Sequence, residues 1–131
     1  MDNKISIIRF LFYLSFLVFL ILYLFPGSLI GHFLYGDLSK QPELIKNPLG
    51  TSINHMIAFF FISILCLISF VKNSNFLKVS IFLILLSIII EILHLYVPNR
   101  SFEYLDIFGN LLGTLLAIIV ILLYKFKNGK I

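Results

Sequence analysis

The stretch EILHLYVPNRSFEYLDIFGN places Glu91, His94, Arg100, Asp106 and Asn110 between segments made almost entirely of Leu, Ile and Phe. These residue types can do chemistry. The carboxylates of Glu91 and Asp106 can accept or hold a proton, and the imidazole of His94 can exchange one near neutral pH. The guanidinium of Arg100 can hold a phosphate or a carboxylate, and the amide of Asn110 can orient its neighbours. An ionised carboxylate within a membrane span costs about 2.5–3.5 kcal/mol, so each needs a partner. Glu91 and His94 stand at i and i+3, and Asp106, Asn110 and Gly113 at i, i+4 and i+7, so each set shares one helix face. His55, which opens the earlier run HMIAFF, completes the set. Candidate catalytic residues are Glu91, His55 and Asp106; candidate binding residues are Arg100, Asn110 and His94. Partners within reach of Glu91 are His55, His94, Arg100 and the Asn110 amide, with Arg100 folding back over Glu91 or Asp106.

Each residue also has a plainer reading. Asp106 could cap the helix it begins. Gly109 and Gly113 form G-x-x-x-G, the spacing that lets helices approach closely, so packing is their expected role. His55 and His94 could snorkel to an interface, and Glu91 could sit in a structural ion pair. His32 reads as a surface residue and Cys66 as a small apolar filler. Ser15, Ser63, Ser69, Ser80 and Ser87 lack a Gly-rich elbow and read as helix–helix hydrogen-bonding groups.

The elements that must position these residues follow from composition. Hydrophobic residues make up 60% of the 131 and charged residues 12%, with a mean hydropathy of +1.08. A water-soluble domain of this size carries about twice that charge, so lipid must be the solvent. Four apolar runs, at about 7–25, 53–71, 76–97 and 105–124, are long enough to cross a bilayer as helices. The expected fold is all-α: one domain, a bundle of four transmembrane helices. The first run is bulky and FPGSLIG after it offers no A-x-A-like site, so it reads as a retained span. Lys4, Arg9, Lys72, Lys78, Lys125, Lys127 and Lys130 would lie on one side and Lys40, Lys46 and Arg100 on the other, seven against three. That count places both termini in the cytoplasm. Pro26, Gly27, Gly36, Pro42 and Pro48 break the outer connection, and SLIGHFLY within it reads as a short interfacial turn. His55, Glu91, His94, Asp106 and Asn110 then meet near one leaflet, Glu91 about 6–9 Å deep at 1.5 Å per residue.

The pieces EILH, PNR, DIFGN and LLG, together with HMIAFF, resemble the VanZ-like family of small bacterial membrane proteins. The resemblance covers the three later spans. Two positions depart from the family pattern: Thr51 and Ser52 stand where the family carries Asp-Lys, and His94 where it carries Gln. The family's founding member is associated with resistance to a lipid-tailed glycopeptide antibiotic. The resemblance thus implies the cytoplasmic membrane of a bacterium as location and the cell envelope as workplace.

The expected function is an integral membrane protein with a polar site at the outer leaflet. It would bind or act on a lipid-linked or amphiphilic envelope molecule, with catalysis left open. A non-enzymatic scaffold, its polar cluster serving helix packing, is the alternative. Glu91, His94, His55 and Asp106 could supply metal ligands, but the family's Gln at the His94 position speaks against it, so no metal and no cofactor is expected. No nucleic-acid motif is present, and the net charge of +4 follows mainly from basic loops and the tail KFKNGK.

Overall fold

The computed structural model describes residues 3–43, 51–70 and 75–128. Among them every regular element is helical: α1 (Asn3–Leu24), α2 (Leu29–Tyr35), α3 (Ser52–Phe70), α4 (Phe76–Leu93) and α5 (Tyr104–Lys127). Four of these, all but α2, are long and apolar enough to cross a membrane. The chain is an all-α, multi-pass membrane protein.

Helix ends follow local chemistry. Pro26 and Gly27, the latter at φ 85°, follow α1 and turn the chain away. The stretch SLIGHFLY forms α2, whose N-cap Ser28 accepts from the Gly31 N–H at 2.9 Å and whose C-cap Gly36 is left-handed. The third span is shorter as an α-helix than its apolar run. It tightens into a 3₁₀ turn at His94–Tyr96, because Val97 precedes Pro98 and is extended (φ −92°, ψ 121°). The fourth span runs past its apolar stretch to Lys127. There Lys125 buries its stem and places Nζ 4.9 Å from the Phe76 ring centre, where a cation also suits the helix dipole. Val71, Lys46, Pro48, Lys72 and Lys130, used above for span ends, breaks and topology, lie outside the described residues, as does the Lys4 side chain.

Helix α3 is the hub, packing on α1, α4 and most extensively on α5. Gly109 and Gly113 make the α3–α5 approach possible: a Cβ at either would overlap the backbone carbonyl of Ser52 or Met56. The core contains Phe59, Leu67, Leu83 and Ile90, with Phe19 edge-on to Phe59 at 5.1 Å. Outside it, Phe10, Leu17, Leu85 and Phe126 are exposed, as suits a lipid-facing surface. The bundle brings the C-terminal ends of α1 and α4 together with the N-terminal ends of α3 and α5, and the candidate residues lie at this end.

Candidate functional site

Helix α3 contributes Ser52 and His55, α4 and its 3₁₀ extension contribute Glu91 and His94, and α5 contributes Asp106 and Asn110. All six are buried, Glu91 and Asn110 completely. His55 lies between the two carboxylates: Nδ1 is 3.6 Å from Glu91 Oε2 and Nε2 is 3.5 Å from Asp106 Oδ2. His94 flanks Glu91 on the other side, with Nδ1 3.1 Å from Oε1. Its Nε2 is 3.0 Å from the Tyr23 carbonyl. A carbonyl can only accept, so Nε2 of His94 donates to it.

The two carboxylates are held alike. Glu91 Oε1 accepts from the Glu103 backbone N–H at 3.2 Å, and Asp106 Oδ1 accepts from the Ser52 hydroxyl at 2.6 Å. The second oxygen of each turns toward His55. Among the described residues, Glu91 Oε2 and His55 Nδ1 are buried without a hydrogen-bond partner. Below this layer Asn110 donates to the Ser87 carbonyl at 3.2 Å, and its Oδ1 accepts from the Tyr23 hydroxyl at 3.4 Å.

Several expected roles are redistributed. Arg100 pairs with neither Glu91 nor Asp106. Its Nη2 donates to the Leu22 carbonyl at 2.6 Å and its Nε to the Phe25 carbonyl at 3.3 Å, closing the C-terminal end of α1. The acceptors a helix leaves open at its end outcompete carboxylates already engaged by histidine. Partial burial holds the Arg100 guanidinium below its ordinary pKa, against the opposing pull of the charges of Tyr23, Glu91 and Asp106. Asp106 is not the cap of α5; that position is Glu103, which makes no side-chain cap bond, and Asp106 sits inside the first turn facing His55. Neither His55 nor His94 snorkels, being 6% and 2% exposed. His32 is exposed on α2 and Cys66 is a buried thiol. Of the span serines, Ser69 bonds to another helix, at the Ile8 carbonyl, and Ser87 bonds within its own helix. The hydroxyls of Ser63 and Ser80 are buried without a partner among the described residues, and Ser15 lines a cavity.

Sequence reasoning missed Tyr23 and Ser52. Tyr23 sits one turn from the α1 end, where an interfacial tyrosine draws no notice, and Ser52 registered only as a departure from Asp-Lys. The signal was register: Ser52 precedes His55 by three residues and shares its face.

A cavity of about 500 Å³ lies between α1 and α3, bounded at one end by the start of α2 and by Gln41 and Pro42. Leu14, Val18, Phe19, Ala58, Phe61 and Ile62 make its lining mostly apolar, while Tyr23, His55 and Arg100 bring polar groups to its wall. His55 alone is both a member of the carboxylate cluster and part of this wall.

The chain matches no protein-family model, no curated protein and no solved structure. The resemblance to the VanZ-like family therefore rests on its motif residues.

Proposed function

We propose that the protein binds an amphiphile taken from one leaflet, with its tail between α1 and α3 and its polar head beside Arg100, Tyr23 and His55. The observation that carries this reading is the shared wall: one cavity combines an apolar trough with the guanidinium and the histidine of the cluster. The trough from Leu14 to Tyr23 is about 13 Å long at 1.5 Å per residue, suited to a stretch of hydrocarbon chain. Two of the Arg100 nitrogens serve α1, which leaves Nη1 for an anionic head. His55 brings a polar ring to that head, with Glu91 and Asp106 behind it. The excess of basic residues at the opposite end supports an outward orientation of the site, and the VanZ-like motif supports work on a lipid-linked envelope molecule.

Binding of a fluorescent single-chain phosphate amphiphile to protein in nanodiscs tests this. Wild type should bind it saturably, and Val18→Trp, which fills the trough, should weaken binding at least tenfold. Unchanged binding by the filled variant would defeat the proposal. A scaffold role is the second reading, favoured by the way Glu91, His55, Asp106 and Tyr23 tie four helices together. Under the binding reading Glu91→Gln and Asp106→Asn insert at normal levels and lose function. Under the scaffold reading those variants disappear from the membrane.

A further inference from the structure

The carboxylates of Glu91 and Asp106 flank His55 on opposite sides. His94 donates from Nε2 to the Tyr23 carbonyl and places Nδ1 3.1 Å from Glu91 Oε1, which fixes its ring at the end of the bundle. Between them, Glu91 Oε2 and His55 Nδ1 are buried with no hydrogen-bond partner among the described residues, a cost that a bound group would remove.

A direct hydrogen bond between His55 and either carboxylate would remove that cost, and the distances oppose it. Charge-assisted N–H···O bonds close to about 2.7–2.9 Å. The two gaps around His55 are 3.6 and 3.5 Å, and neither His55 Nδ1 nor Glu91 Oε2 has a hydrogen-bond partner among the described residues. The two gaps start from opposite nitrogens of the ring, only one of which can face a given cation, and each alone has the length of a ligand–ligand edge. Metal–ligand bonds of about 2.0–2.2 Å in tetrahedral array give ligand–ligand edges of about 3.3–3.6 Å. The carboxylates are also prepared for this. One oxygen of each is tied by a donor, the Glu103 N–H or the Ser52 hydroxyl, and the other turns toward His55. This is how outer partners orient metal-binding carboxylates.

We propose that His55, Glu91 and Asp106 bind one first-row divalent cation. One ligand atom from each residue lies within 4.8 Å of the other two. The two nitrogens of His55 face different carboxylates, so one of them serves as ligand and the other does not. One nitrogen and two carboxylate oxygens suit Mn²⁺, Fe²⁺ or Zn²⁺. His94 is a positioning residue in this set, holding Glu91 Oε1, so a Gln at the corresponding position of the resembled family does not count against the site. The proposal stands whether or not the cavity holds an amphiphile.

The test uses detergent-purified full-length chain, stripped with chelator, loaded with Mn²⁺ or Zn²⁺, dialysed and analysed for metal by mass spectrometry. Wild type should retain close to one equivalent per chain, and its Tm should rise on loading. His55→Gln and Asp106→Asn should retain at least tenfold less, while Thr114→Val, a buried change outside the ligand set, should match wild type. Retention below about a tenth of an equivalent in loaded wild type, without a Tm shift, would overturn the proposal. So would equal retention by folded Asp106→Asn. The wild-type arm decides the matter even if the ligand variants fail to fold, and no amphiphile enters the measurement.

Discussion

Ser52 holds one oxygen of Asp106 at 2.6 Å, and no second donor to that oxygen is among the described contacts. Ser52→Ala should cost about 1.5–3 kcal/mol, the range for a hydrogen bond to a charged group, read as a lower Tm in detergent. Ser52→Thr, which keeps the hydroxyl, should recover most of it. Arg100→Lys tests the other reassigned contact. An ammonium cannot reproduce the planar fork that reaches both the Leu22 and Phe25 carbonyls, so a loss of about 1 kcal/mol is expected in thermal unfolding. Glu91, His94 and Asp106 were legible in the sequence because charge in an apolar run is conspicuous. The partner of Arg100 was not legible, because backbone carbonyls at a helix end leave no mark in side-chain identity. Tyr23 and Ser52 were hidden for a related reason: both are common at membrane interfaces, and only the fold shows what their hydroxyls touch.

Among the elements, the α3–α5 pair depends on two positions without side chains. Gly113→Ala should push α5 from the Met56 carbonyl and destabilise the bundle by about 1–3 kcal/mol, as overpacking does elsewhere. The same change should disturb the site, since Asn110 and Asp106 ride on that helix. Chemical denaturation in mixed micelles measures the first effect. The turn between α4 and α5 has its own requirement: Asn99 adopts φ 58°, a conformation Asn tolerates and Ala resists. Asn99→Ala should therefore lower stability by about 1 kcal/mol while Asn99→Gly remains near wild type. The G-x-x-x-G spacing and the helical nature of each run were readable from sequence, because small residues and length carry those signals directly. The 3₁₀ end of the third span was not, since an apolar run continues through Leu95 and Val97 regardless of how the backbone winds.

For the whole molecule, four spans and their clustering at one end follow from hydropathy and chain order, which explains why architecture was the most readable level. The cavity was invisible in sequence: a trough and a packed seam use the same Leu, Val and Phe. Orientation is open to direct measurement. A membrane-impermeant thiol reagent added to cells should label Ser101→Cys and spare Asn128→Cys, two exposed positions at opposite ends. The native Cys66, 3% exposed, should stay silent and need not be removed. Reversed labelling would invert the orientation and leave the cluster unchanged. Helix α1 has a particular place in this arrangement, because it forms one side of the cavity and leans mainly on α3. Arg100 grips its C-terminal end, while near its start Arg9 reaches across to the Ser69 carbonyl at 3.0 Å and lies over the Phe70 ring. The two arginines thus pin a single stave near both its ends. If the proposed amphiphile enters sideways from the bilayer it passes between these pins, so Arg9→Ala, remote from the cluster, should change how fast the trough fills.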